Sequence, residues 1–80
     1  MNTEAKSTRP NMKRLAVFFT PYADVKLLAK YFRSTCWLER LAIAKNPKTP
    51  DNTLKHLAND GNRLVRTAAI GNLEQRQQQK

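Results

Sequence analysis

The chain has 80 residues, enough for one small domain, with 15 Lys and Arg against six Asp and Glu and a net charge of +9. Hydrophobic residues make up 40% of it, which excludes a typical disordered chain, and the single cysteine, Cys36, excludes an internal disulfide framework. The longest apolar run, residues 15–19, is too short to span a bilayer. We therefore expect a soluble, cytoplasmic protein that does not enter membranes.

The distribution of apolar side chains divides the chain into three stretches. Residues 1–11 are polar and predict a flexible N-terminal tail. Residues 12–73 hold nearly every large apolar side chain and predict a helical-repeat domain. Residues 74–80 form a polar C-terminal tail, either frayed helix or disorder. The central part, residues 15–73, has nine basic and four acidic residues, a net charge of +5, so the positive charge is not confined to the tails.

Apolar residues of the central stretch recur with the period of a helix. In residues 25–32, for example, they occupy positions i, i+3, i+4 and i+7. No segment alternates with period two, so we predict an all-α fold without a β-sheet. The predicted helices lie near residues 12–19, 22–33, 36–45, 51–59 and 62–71.

Helix boundaries are suggested by capping and breaking residues. Thr20-Pro21 and Thr49-Pro50 each place a hydroxyl just before a proline at the first position of a helix. Asp60 or Asn62 can cap the last helix, and Gly71-Asn72 is expected to end it.

The central stretch also repeats itself. The segments RLAVFFTP from Arg14, RLAIAKNP from Arg40 and RTAAIGNL from Arg66 align at an offset of 26 residues. A second alignment, of TPYADVKLLAK with TPDNTLKHLAN, has an offset of 29 and implies a three-residue insertion near Lys48, cancelled by a longer linker at residues 31–35. Interlocked repeats of this length predict a short α-solenoid of about two helix pairs plus a half-repeat.

Residues 46–72, NPKTPDNTLKHLANDGNRLVRTAAIGN, contain in order Asn-Pro, Thr-Pro, Leu-x-x-Leu-Ala, Asp and Val-Arg-x-Ala-Ala. In this the segment resembles the variant leucine-rich repeat, a relative of HEAT repeats. The preceding repeat, residues 20–46, is degenerate, because no Asp matches Asp60 and Glu39 stands where Val65 does. The resemblance implies a right-handed superhelix of α-helices and shorter helices that serves as a binding scaffold. Founding members can carry a cysteine-ligated iron–sulfur segment, to which nothing here corresponds.

Few residues could carry chemistry. Cys36 lies beside apolar neighbours and is predicted to be a buried thiol, whereas His56 is predicted to be a partly exposed residue on a helix flank. One Cys and one His are too few ligands for a zinc site, and the two glycines are isolated, so there is no phosphate-binding loop. We predict no enzymatic activity, no metal, no cofactor and no small-molecule substrate.

Three arginines share one position of the repeat. We call Arg14, Arg40 and Arg66 the arginine ladder. It is expected to stack on one face and to hold the repeats in register through acidic or amide partners in the turns. The predicted partners are Asp60 or Asn62 for Arg66, and Asp24 or Asp51 for the other two.

A band of exposed bases is the main candidate binding site. Lys26, Lys30 and Arg33 lie at i, i+4 and i+7 of one helix, and Lys55 is placed one unit later at the position of Lys26. Arg63, Lys45 and Lys48 lie in neighbouring turns and extend the predicted band. Such a band attracts polyanions, although positive charge also keeps small proteins soluble. We predict a scaffold or adaptor domain for protein–protein interaction. The alternative is sequence-independent binding of a DNA or RNA backbone.

The ends of the repeat array are the second candidate. The first helix is apolar nearly all round, and Phe18 and Phe19 are predicted to form an apolar interface, the alternative for both being a place in the core. Residues 67–70 of the last helix do not form a polar cap either. Self-association or a protein partner is expected to cover such ends.

Overall fold

The computed structural model describes residues 11–78, which are all-helical and contain no strand, as predicted. Residues 1–10, most of the predicted N-terminal tail, and residues 79–80 lie outside the described residues. The helices are α1 (Met12–Phe18), α2 (Val25–Tyr31), α3 (Trp37–Lys45), α4 (Asp51–Leu57) and α5 (Arg63–Gln78).

The helices pack in two layers. In one layer α3 lies between α1 and α5, and in the other α2 packs on α3 while α4 packs on α5 and α3. The core lies between the layers. Its largest fully buried apolar side chains are Phe18, Leu28, Ile43, Leu54, Leu57 and Val65.

The repeat keeps an offset of 26 residues in both layers. The bounds of α2 and α4 are 26 residues apart, and Leu28 and Leu54, which are fully buried, occupy equivalent places. The predicted offset of 29, with its insertion near Lys48, is therefore wrong. In the observed register Lys55 is equivalent to Ala29 and not to Lys26, because core packing of the leucines decides the alignment.

Thr20 and Thr49 bond to the ends of the preceding helices and do not cap the starts of the following ones. The Oγ1 of Thr20 donates to the carbonyl of Val17 at 2.9 Å, and that of Thr49 donates to the carbonyl of Ile43 at 2.6 Å. Each hydroxyl thus satisfies a carbonyl near the end of the preceding helix. α2 begins later than predicted, after Asp24, whose side chain caps it.

The last helix begins as predicted and continues further. The Oδ1 of Asn62 accepts hydrogen bonds from the amides of the second and third helical residues. Gly71 was expected to end the helix, but it lies inside α5 and its φ is not positive. Arg76 donates to the carboxylate of Asp51 at 2.6 Å and to the carbonyl of Pro47 at 2.9 Å. These contacts hold the last turns, part of the predicted polar tail, against the start of α4.

Two asparagines tie successive repeats together. The Nδ2 of Asn46 donates to the carbonyls of Phe18 and Thr20, both at 2.7 Å. The Nδ2 of Asn72 donates to the carbonyls of Ala44 and Asn46, at 3.0 and 3.1 Å. Donors and acceptors are all displaced by 26 residues, so the same connection is made twice.

Candidate binding surfaces

The first member of the arginine ladder pairs with a buried carboxylate. The Nη2 of Arg14 donates to both carboxylate oxygens of Glu39, at 3.1 and 3.0 Å. The Glu39 side chain is fully buried, and it also accepts from the backbone amide of Asn11 at 3.0 Å and from the hydroxyl of Ser34 at 2.7 Å. The partner is thus a residue of α3 that the sequence had marked only as a departure from the repeat.

Burial, the largest single effect, raises the pKa of Glu39. The hydrogen bonds from the Asn11 amide, the Ser34 hydroxyl and the Arg14 guanidinium, together with the charge of Arg14, outweigh it. The pKa of Glu39 therefore lies below its ordinary value of 4.5, and the carboxylate is charged at neutral pH.

The second ladder arginine uses a different carboxylate. The Nε of Arg40 donates to Asp60 at 2.7 Å and its Nη2 donates to the other oxygen at 3.3 Å. Its Nη1 donates to the carbonyl of Ser34 at 2.6 Å. Both side chains are largely buried, so this bidentate pair connects α3 to the turn between α4 and α5.

Two departures from the repeat compensate for each other. Ser34 occupies the place of Asp60, since each side chain accepts from the amide two residues later and each backbone carbonyl accepts from a ladder arginine. Serine, unlike aspartate, has no charge at this position. The carboxylate comes instead from Glu39, at the position that Val65 occupies in the next repeat, and the Ser34 hydroxyl donates to it. The two repeats therefore present a carboxylate to the ladder from different residues.

The third ladder arginine has no acidic partner in residues 11–78. The Nη1 of Arg66 donates to the carbonyls of Asp60 and Gly61, at 2.8 and 3.2 Å. Of the two predicted partners of Arg66, Asp60 contacts it through its backbone carbonyl and not its carboxylate, and the Asn62 side chain caps α5 instead. The predicted ladder roles of Asp24, which caps α2, and of Asp51, which pairs with Arg76, are wrong. The predicted structural role of the ladder agrees with the two ion pairs of Arg14 and Arg40.

Structural contacts use most of the carboxylates. Of the five in residues 11–78, three form ion pairs with arginine, one caps α2, and Glu74 is exposed. Of the twelve Lys and Arg in the same residues, three take part in those ion pairs. Nine basic side chains are therefore left without a carboxylate from this part of the chain.

Four of these nine lie on the outer side of α2 and α4. We call Lys26, Lys30, Arg33 and Lys55 the basic face. All four are exposed, and the first three follow the surface of α2 into the turn after it. Lys55 lies on α4, the repeat equivalent of α2. Arg63 is exposed as well, but it begins α5 in the other layer, so the structure does not place it on the outer side of α2 and α4 with the basic face.

An open cleft of about 360 Å³ adjoins the basic face. Its lining residues are Phe32, Arg33, Ser34, Arg40, His56, Leu57, Asp60 and Gly61. The rings of Phe32 and His56 lie 5.4 Å apart, and the guanidinium of Arg33 lies 5.1 Å from the Phe32 ring. His56 is equivalent to Lys30 in the observed register, which the predicted offset of 29 concealed.

The aromatic side chains differ in exposure. Phe18 is fully buried and packs on Tyr31 at 5.8 Å, so the prediction that it forms an external interface is wrong. Its side chain fills the core between the layers. Phe19 remains half-exposed. Arg14 and Lys30 lie over the ring of Tyr31, at 4.5 and 5.5 Å from its centre.

Cys36 and His56 are placed as the sequence predicted. Cys36 is buried at the start of α3, and His56 is exposed on α4. Within residues 11–78 no three of the side chains His, Cys, Asp and Glu come together as metal ligands. None of the helices in the same range is long and apolar enough to cross a membrane. Comparison with known protein families, with curated proteins and with solved structures finds no match for this chain.

Proposed function

We propose that this protein is a non-catalytic binding module that holds an acidic segment of a partner protein on its basic face. Its architecture in this proposal is a right-handed solenoid of two helix-pair repeats and a half-repeat. The hydrogen bonds of Asn46 and Asn72, repeated at 26 residues, support that arrangement. So does the resemblance of residues 46–72 to the variant leucine-rich repeat.

The uncompensated charge of the basic face carries the proposal. Lys26, Lys30, Arg33 and Lys55 are exposed, and none of them forms an ion pair within residues 11–78. Of the three exposed carboxylates in these residues, Asp24 caps α2, Asp51 pairs with Arg76 and Glu74 lies on α5, so none of them pairs with the face. An acidic segment would therefore gain attraction along α2 without displacing an internal carboxylate.

The cleft next to the face favours a polypeptide. Its lining is mostly polar, and the Phe32 ring, which lies 5.4 Å from the His56 ring, adds an apolar contact. A protein segment can place a side chain against this ring and its carboxylates on the lysines.

Sequence-independent binding of a nucleic-acid backbone is the second candidate. The same four cations support it, because phosphate contacts need charge and little else. The exposed aromatic side chains favour it less. The exposed rings of Phe19, Tyr22 and Trp37, which could stack on bases, lie outside α2 and α4, so only His56 presents an exposed ring on those two helices.

Fluorescence anisotropy distinguishes the two candidates. The probes are a labelled Glu-rich peptide containing leucines, a generic DNA duplex and a generic single strand, each titrated at low and at physiological salt. The test variant is the triple reversal Lys26→Glu, Lys30→Glu and Lys55→Glu. A second triple reversal, at Lys13, Lys45 and Lys48, is the matched control, because these lysines are also exposed but lie outside α2 and α4.

The expected result is binding of the peptide that persists at physiological salt and is lost in the test variant but not in the control. Binding of either nucleic acid tighter than about 10⁻⁶ M at physiological salt, with a steep salt dependence, would favour the second candidate. Equal losses in the two triple variants would refute a role for the basic face in either candidate.

A further inference from the structure

On the outer side of α5, residues are exposed at positions whose equivalents in α1 or α3 are buried. Phe18 and Ala44 occupy one repeat position in α1 and α3 and are fully buried, whereas Ile70, at the same position in α5, is 43% exposed. Thr67 is exposed where the equivalent Leu15 is buried. In α1 and α3, each of which is followed in its layer by another helix, these positions are covered, whereas α5 is the last helix of the layer in residues 11–78 and its same side is unpartnered.

Arg66, the ladder arginine of α5, has donors on this face that could bind a carboxylate of a partner. Arg40 uses its Nη1 for a backbone carbonyl and its Nε and Nη2 for the carboxylate of Asp60. Arg66 makes the equivalent backbone contacts through its Nη1. Within residues 11–78 its Nε and Nη2 meet no carboxylate. A partner that completes the ladder therefore brings a carboxylate to Arg66 and an apolar side chain to Ile70.

The chain itself supplies this combination. Glu74 is exposed, and it forms no ion pair within residues 11–78. It lies four residues after Ile70, just as Arg66 lies four residues before it, and all three are on one side of α5. When two such helices cross in antiparallel orientation at Ile70, each Arg66 comes opposite the Glu74 of the other copy.

We propose that two copies of this chain associate through α5 in antiparallel orientation, with Ile70 at the two-fold axis and two reciprocal Arg66–Glu74 ion pairs. The surface is a single helix face, smaller than the roughly 800 Å² per partner of a standard interface. The association is therefore weak, reversible and dependent on protein concentration.

Charge disfavours the other way of stacking two copies. In a head-to-tail array, α1 of the next copy would take the place that α3 has relative to α1. Lys13 would then stand where Glu39 stands, opposite Arg66, and two positive charges would meet. The two-fold arrangement replaces this repulsion with two attractions and closes the assembly at a dimer.

Cysteine cross-linking tests the proposed axis. In Ile70→Cys the new thiol meets its own copy, whereas Cys36 is buried. The control is Asn52→Cys, an exposed residue on the outer side of α4. Under mild oxidation the first variant is expected to form disulfide-linked dimers at least about tenfold faster than the control, a ratio that corresponds to about 1.4 kcal/mol. Equal rates would overturn the proposal.

Sedimentation velocity tests the ion pairs. Wild-type protein, measured from micromolar to submillimolar concentration, is expected to show a reversible monomer–dimer equilibrium. Glu74→Arg places like charges together twice and is expected to raise the dissociation constant at least about tenfold. The double variant Arg66→Glu, Glu74→Arg restores dimerisation if it folds, and Gln75→Arg, which adds charge at the neighbouring residue, leaves it unchanged.

A wild-type protein that stays monomeric at every concentration, or a Glu74→Arg variant that dimerises as well as wild type, contradicts the proposal. The basic face lies on α2 and α4, and the dimer face lies on α5. The anisotropy experiment and the sedimentation experiment can therefore fail independently of each other.

Discussion

The exchange between Ser34 and Glu39 predicts that two destabilising substitutions will compensate for each other. Glu39→Val gives α3 the residue that α5 has at the equivalent Val65, and it removes the carboxylate that Arg14 contacts at 3.0 Å. Arg14, the Ser34 hydroxyl and the Asn11 amide then lose an acceptor. Because the carboxylate is fully buried but the Arg14 side chain is 33% exposed, we expect a loss of about 2–3 kcal/mol, below the upper range for buried pairs.

Ser34→Asp alone is also expected to destabilise the protein, because it places a second carboxylate beside the buried Glu39. In the double variant, the carboxylate introduced by Ser34→Asp is expected to pair with Arg14 in the way that Asp60 pairs with Arg40. Arg14 then regains a charged partner. The Asn11 amide still lacks its acceptor, so we expect the double variant to remain about 1 kcal/mol less stable than wild type.

Urea and thermal unfolding followed by helical circular dichroism measure this double-mutant cycle. A loss of about 2 kcal/mol corresponds to a fall in melting temperature of roughly 10 °C for a domain of this size. Gln75→Glu is the control, since Gln75 is exposed and lies outside the proposed dimer contacts, and its effect is expected to stay within about 0.5 kcal/mol. If the two single losses simply add in the double variant, the compensation between the two positions is refuted.

Three further predictions concern single residues. Folding lowers the pKa of Glu39, so its contribution to stability is complete above pH 4.5 and is lost as the pH falls through the folded-state pKa. The difference in unfolding free energy between wild type and Glu39→Gln should therefore shrink in acid. A difference that does not change with pH would contradict the pairing. Asn46→Ala leaves two carbonyls without their donor at a site only 2% exposed, and we expect it to lower the free energy of unfolding in urea by about 2–3 kcal/mol. Asn72→Ala should cost less, because its site is partly exposed. Equal losses would contradict the argument from burial. Gly71→Ala should stabilise the protein by about 0.5–1 kcal/mol in thermal unfolding, because Gly71 lies inside α5 and no atom lies near the added Cβ. A loss of stability would show that the helix ends at this residue.

The sequence was informative about local structure and about one layer of the repeat. Helical spacing predicted five helices near their observed places, and the recurrence of the ladder arginines at 26 residues matched the stacking of α1, α3 and α5. Asn62 was also recognised as a cap. These features depend on neighbouring residues along the helix or on identical residues at a fixed period, so they can be read without knowing the packing.

The candidate binding residues were identified in part. Lys26, Lys30, Arg33 and Lys55 are exposed as expected, because charged residues opposite an apolar stripe face solvent. Arg63 is also exposed, at the start of α5 and outside the basic face. The interface predicted for Phe18 is wrong, because other helices bury its side chain.

Other features were decided by tertiary contacts. A threonine hydroxyl can donate or accept, and the nearby ends of α1 and α3 made Thr20 and Thr49 donors rather than caps. Gly71 is compatible with both the end and the interior of a helix, and the pairing of Arg76 with Asp51 helps to hold the later turns in place. The partner of a ladder arginine depends on which carboxylate the packing brings near it. The sequence by itself thus determined the helices and their period, and the three-dimensional packing decided which donors and acceptors meet.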